Sequence, residues 1–116
     1  DTKRKIKFII LFGSTSRNEQ TPLSDIDIAV YYDAPAEERF KFQIQAGGKL
    51  SDNVDFHIFQ DLPVAVQREV LGGIVLYCFN FQFMYDKAMK VVHEYSYLEK
   101  HLDEYYNALE VEILGT

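Results

Sequence analysis

The chain has a single cysteine, three prolines, no tryptophan and a shortage of positive charge: twelve Lys and Arg stand against eighteen Asp and Glu, for a net charge of −6 over 116 residues. One cysteine excludes an internal disulfide and supplies no metal-ligand spacing. Cys78 closes the apolar run Ile74-Val75-Leu76-Tyr77-Cys78, a setting that reads as a buried, inert thiol rather than a nucleophile. A domain built to grip nucleic-acid phosphates carries a basic face. The only basic cluster here, Lys3, Arg4, Lys5 and Lys7, reads as a solvated terminus, so nucleic acid is set aside as a direct substrate. No apolar run is long enough to span a bilayer, and no signal-peptide pattern opens the chain. The expectation is a cytoplasmic protein without membrane contact. It starts at Asp1 rather than Met, so some N-terminal sequence is expected to have been removed.

Apolar residues make up 47% of the chain, with nine Phe and eight Tyr, enough large side chains for one core at this length. Residues 6–12 form a nearly continuous apolar run that stops at Gly13-Ser14, as a buried strand meeting a turn does. Residues 26–32 predict a second strand, ended by Asp33-Ala34-Pro35. A helix follows from Ala36 to about Gln45, marked by Phe40 and Ile44 and terminated by Gly47-Gly48. Residues 54–59 alternate and make a third strand. Pro63 opens a helix that carries Val66, Val70 and Leu71 and stops at Gly72-Gly73; a fourth strand covers 74–78. The order predicts an α/β (α+β) sandwich with helices against one face of a mixed sheet of about four strands.

From about Met84 to Leu109 apolar residues recur in steps of three and four, the mark of one long amphipathic helix or two in succession. An uninterrupted helix of that span is roughly 40 Å long. It either packs back on the sheet or extends to dock on another chain. The chain thus divides into a core, 1–80, and a C-terminal helical extension, 81–116.

The stretch richest in chemistry runs from Gly13-Ser14 to Asp25-Ile26-Asp27. Alternation along a strand points Asp25 and Asp27 to one face. Adjacent carboxylates repel unless a cation lies between them, and hard oxygen ligands of this kind suit Mg²⁺. Two such ions stabilise both the attacking and the leaving oxygen of an in-line displacement. Gly13 lets the backbone approach a ligand closely. If residues 14–21 are helical, their free N–H groups form an anion site for a triphosphate, with Ser14 as an added donor and Arg17 within reach of a phosphate oxygen. Asp55 begins the third strand, with Val54 and Phe56 on the opposite face. Beside the Asp-x-Asp strand it would complete a three-carboxylate site that binds metal and helps deprotonate an attacking hydroxyl.

Gly-Ser, ten residues, Asp-x-Asp and a later strand Asp resemble the DNA polymerase beta nucleotidyltransferase superfamily, and within it the minimal nucleotidyltransferases. The likeness extends over Leu62 to Tyr77 and into the tail, where Tyr97-Leu98-Glu99 through Asp103-Glu104-Tyr105-Tyr106 are similar to the C-terminal helix of members paired with HEPN-domain partners. The resemblance implies a polymerase-beta-like fold with a long C-terminal helix. It implies that Gly13 and Ser14 hold the triphosphate of ATP, that Asp25 and Asp27 bind two Mg²⁺ ions, and that Asp55 is the third carboxylate. It also implies an antitoxin that attaches AMP to a tyrosine of a partner HEPN toxin. Thr15 and Thr21 stand where relatives often have arginine, and Asn18 where they often have glycine.

Other residues carry plainer readings. His57 shares a face with Asp55, which leaves contact with the site open, but packing or surface is the favoured reading; His93 and His101 have no partner at ligand spacing. Tyr95, Tyr97, Tyr105 and Tyr106 read as core and interface aromatics, and homo- or hetero-oligomers both stay open. Two other functions compete: a small-molecule nucleotidyltransferase of the aminoglycoside-modifying type, for which 116 residues leave little acceptor pocket, and a binding-only subunit, against which the intact Asp25, Asp27 and Asp55 count.

Overall fold

The computed structural model describes residues 2–13 and 26–114. A short helix α1 (Thr2–Lys5) leads into β1 (Ile6–Phe12); β2 (Ile26–Tyr32) is followed by α2 (Ala36–Lys49), β3 (Val54–Ile58) and a 3₁₀ turn (Phe59–Asp61). Helix α3 (Val64–Leu71), β4 (Ile74–Cys78) and α4 (Phe81–Leu114) complete the chain. The strands form one mixed sheet in the order β3-β2-β1-β4. β1 runs antiparallel to both neighbours, and β2 and β3 are parallel. The fold class is that expected: α+β, four strands and a long terminal helix.

Register decides which side chains share a face. Phe8, Ile10 and Phe12 pair with Tyr31, Ala29 and Asp27, and Ala29 and Asp27 pair in turn with His57 and Asp55. On this face Phe8, Ile10, Phe12 and Ala29 are buried against Val70 of α3 and Val91 of α4. Full burial of such side chains is worth about 1.5–3 kcal/mol each. Phe8 is fully enclosed, with the rings of Tyr31 and Phe59 at 5.3 and 5.1 Å.

Helix α2 lies on the other face, where Phe42 stacks on Tyr32 at 3.9 Å and meets Phe56 edge-on. The reason is topological. The β2–β3 and β3–β4 connections join parallel strands but cross the sheet in opposite directions. Right-handed crossovers running in opposite directions must leave their helices on opposite faces. The sheet is therefore covered on both sides rather than by helices on one face alone.

Three local expectations are corrected. Helix α2 continues through Gly47 and Gly48 to Lys49; neither glycine adopts a positive φ, so the helix is not broken at that pair. It ends when Leu50 turns extended. Phe40 and Ile44 point to solvent, and Phe42 makes the sheet contact. Cys78 is half-buried rather than enclosed. Of the two alternatives left open for the tail, the structure takes the first: one helix of 34 residues. Among the described residues no helix is long and apolar enough to cross a membrane.

Candidate active site

The site forms at one end of the sheet, where β1 ends and β2 and β3 begin. Asp27 and Asp55 are direct neighbours in the parallel β2–β3 register. Both therefore project from the face that carries Phe12 and Ala29. His57, two residues along β3, projects from that face as well. Asp27, Asp55 and His57 each offer one ligand atom, and the three atoms lie within 4.8 Å of one another. Nε2 of His57 stands 3.5 Å from Oδ1 of Asp27. The imidazole also packs against the Phe12 ring, with centroids 5.6 Å apart.

Access and burial suit a site open to substrate. The Asp27 and His57 side chains are about a quarter to a third exposed, at 27% and 32%, and Asp55 is exposed. Among the described residues no charged side chain is buried, so the carboxylates carry no large desolvation cost.

Gly13 closes the site from the β1 side. Its φ is +82°, in the region L-residues rarely adopt. A Cβ added there would stand 2.6 Å from Oδ2 of Asp27. The absence of a side chain is what lets the turn after β1 lie against the carboxylate. Behind it, Gly73 lets the start of β4 press on β1, since a methyl group would run into the Leu11 carbonyl oxygen.

Of the residues singled out by sequence, the structure brings Gly13, Asp27 and Asp55 together. Ser14, Arg17 and Asp25 lie outside the described residues, as does the short helix expected over 14–21. His57 packs on Phe12, the favoured reading, and also stands beside Asp27, the second placement that its shared face with Asp55 left open. Its spacing of two from Asp55 on an alternating strand is the signal that places it on the same face.

The sequence signature described as Polymerase beta, Nucleotidyltransferase matches residues 1–82, which include Gly13, both carboxylates and His57. The chain belongs to this nucleotidyltransferase family. Two similar proteins of Methanocaldococcus jannaschii are named as protein adenylyltransferases. MJ1547 is 34% identical over 67 residues, 58% of this chain and 51% of its own length; MJ0128 is 54% identical over 39 residues, 33% and 40% respectively. The match thus spans about half the length of the first relative or less. Among solved structures, the fold is similar to a toxin–antitoxin crystal structure with AMP-PNP (TM-score 0.73, 25% identity, covering 90% of this chain and 86% of that one). It is also similar in fold to a complex of tri-AMPylated Shewanella oneidensis HEPN toxin with its MNT antitoxin (TM-score 0.65, 23% identity, 90% and 83%). The family signature ends where α4 begins, whereas the structural likeness runs on into that helix.

Proposed function

We propose that this chain transfers AMP from ATP to a hydroxyl acceptor, and that the acceptor is a tyrosine of a HEPN-domain partner which the modification silences in the cytoplasm. The observation that carries the reading is the convergence of Asp27 and Asp55 on adjacent strands, with the Gly13 backbone against one of them, in a chain of the nucleotidyltransferase family. The adenylyltransferase names of its relatives and the nucleotide analogue in a similar complex support AMP as the transferred group.

The donor set fits Mg²⁺. Two carboxylates converge within ligand range, and hard oxygens are what this ion takes. Asp27 and Asp55 would hold it, with Asp25 as the further carboxylate. His57, a nitrogen donor, is better suited to orienting Asp27 than to ligating magnesium. When bound, Mg²⁺ neutralises the triphosphate and stabilises charge on the oxygens of an in-line displacement.

The chain's own residues do the rest. Gly13 leaves room for phosphate, and Ser14 and Arg17 supply donors to it. Asp55, the most exposed of the clustered groups, accepts the proton of the acceptor hydroxyl. The hydroxyl oxygen then bonds to the α-phosphorus as the bond to pyrophosphate breaks, and pyrophosphate leaves. Residues 1–80 are the transferase core, and 81–116 are the extension that meets the acceptor protein.

Intact-mass spectrometry tests this. The HEPN-domain protein encoded beside this one is incubated with it, Mg²⁺ and ATP. Mass gained in whole AMP steps, and lost with Asp27→Asn, supports the transfer. A stable complex that gains no mass refutes it in favour of a binding-only subunit.

A further inference from the structure

Helix α4 is longer than the body it serves. Its 34 residues reach about 50 Å, and the molecule's longest dimension is 57 Å. Its first half is packed: Met84 and Val91 meet the core, and the Tyr95 ring lies 4.8 Å from the Arg68 guanidinium of α3. Beyond Tyr95 nothing in residues 96–113 is buried, and only Leu98 and Leu109 are even half-covered.

The apolar seam does not stop where the core does. Met84, Ala88, Val91, Tyr95, Leu98, Leu102, Tyr105 and Leu109 are separated by alternating steps of four and three. That 3.5-residue repeat is the spacing that keeps a seam facing a second helix. A helix that packed only on this chain's own sheet would have no use for the last four positions. Leu102 and Tyr105 are 43% and 60% exposed, a seam without an occupant among the described residues.

Charge selects the occupant. The overhanging half carries Glu99, Asp103, Glu104, Glu110 and Glu112 against Lys100 alone. Glu94 and Glu99 hold flanking positions of the heptad, where charges on paired helices meet. In a parallel pair with a second copy, Glu94 would face Glu99 of the other chain, like charge against like charge, which is destabilising. A helix with apolar a and d positions and Lys or Arg at its flanks meets no such penalty.

We propose that residues 95–113 of α4 are the docking surface for a basic, heptad-patterned helix of a partner protein. The surface deepens the proposed function by naming the element of the partner it takes, and rests on that reading only in supposing a protein acceptor.

The test uses the full chain and two labelled four-heptad peptides, with Leu at a and d and either Lys or Glu at e and g, followed by fluorescence anisotropy. The lysine peptide should bind at least about tenfold more tightly than the glutamate peptide. Leu102→Asp should abolish that binding, and Glu94→Lys with Glu99→Lys should reverse the preference while keeping the apolar seam. Equal binding of the two peptides, no binding of either, or binding untouched by Leu102→Asp overturns the proposal. So does sedimentation showing a dimer of this chain that Leu102→Asp disperses, since the seam is then filled by a second copy. Failure here is separable from failure of the transfer chemistry. Leu102→Asp should leave stabilisation by Mg²⁺–ATP intact, and Asp27→Asn should remove that stabilisation while leaving peptide binding unchanged.

Discussion

The α-carbon of Gly13 faces the carboxylate of Asp27 so closely that a single methyl group on it would stand 2.6 Å from Oδ2. At φ +82° an L-residue also pays about 1–2 kcal/mol of backbone strain. The flexible partner in that clash is the Asp27 carboxylate, and rotating it away would take it out of the cluster. Gly13→Ala should therefore lower transfer activity by about a hundredfold, or about 2.7 kcal/mol of activation free energy. The stability loss should stay near the 1–2 kcal/mol of the strain. Melting curves and initial rates on the same preparation check this; proportionate losses in both would assign Gly13 to folding alone.

Asp27 and Asp55, neighbours in the β2–β3 register, repel each other in the absence of a cation. Asp55→Asn should leave the metal-free protein as stable as before or slightly more so. The wild-type chain should gain about 2.7 kcal/mol from Mg²⁺–ATP at a hundred times its Kd, and the variant should gain far less. Differential scanning fluorimetry with and without Mg²⁺–ATP reads both effects. Equal ligand shifts for the two proteins would take Asp55 out of the site.

His57 touches both Asp27 and the Phe12 ring. Two roles separate by substitution. His57→Phe keeps ring packing and removes the nitrogen beside Asp27; His57→Asn keeps a polar group and shortens the side chain. If the imidazole orients Asp27, His57→Phe should retain most of the stability and lose about tenfold in rate. Full activity in His57→Phe would leave packing as its whole contribution.

Arg39 ties α2 to the turn after β3. Its guanidinium donates to Asp61 at 2.8–3.2 Å and to the Ala34 carbonyl at 2.8 Å. The hydrogen bond to Asp61 holds the Arg39 pKa above its ordinary value. With one-fifth of the side chain exposed, Arg39→Ala should cost about 1–2 kcal/mol by chemical denaturation. Arg39→Lys should not restore it, because an ammonium cannot reproduce the fork.

The Lys5–Glu38 pair, 2.8 Å apart, contrasts with it. Hydrogen bonding to Lys5 lowers the Glu38 pKa, and Glu38 raises that of Lys5. A lowered carboxylate stabilises above its unfolded value and ceases to do so as pH falls through the folded one. A raised lysine stabilises below its unfolded value and ceases to do so as pH rises through the folded one. The pair therefore contributes across the neutral range and fails at both extremes. Because both groups are exposed, salt screens it, and Lys5→Ala should barely move the Tm at physiological ionic strength. A large shift that persists in high salt would contradict this.

Much of the chain was legible before folding because period and punctuation are local. Strands 6–12, 26–32 and 74–78 show as apolar runs stopped by turn residues, and α3 as a helix between Pro63 and Gly72. The pairing Asp27–Asp55 was inferable only in kind: alternation gives each carboxylate a face, but not the neighbour it faces. Helix α2 was misjudged in length because Gly47-Gly48 can end a helix or lie inside one, and in orientation because Phe40 and Ile44 share one face while Phe42 stands nearly opposite, so apolar residues mark two faces. For His57 the sequence left packing and a place beside the site both open, because a strand histidine beside a carboxylate carries no local mark separating the two.

What the sequence by itself determined is the chemistry within reach of each segment: a glycine turn after an apolar strand, carboxylates at strand starts, and a 3.5-residue seam with acidic flanks. These depend on alternation, turn propensity and charge, which act over a few residues. Only the tertiary structure decided that β2 and β3 lie side by side in the register that joins Asp27 to Asp55, with His57 beside them and Gly13 against them. It alone decided that α2 and α3 take opposite faces, and that α4 outruns its own core. Those outcomes follow from strand order and crossover handedness, which join residues tens of positions apart and leave no periodic trace in the chain.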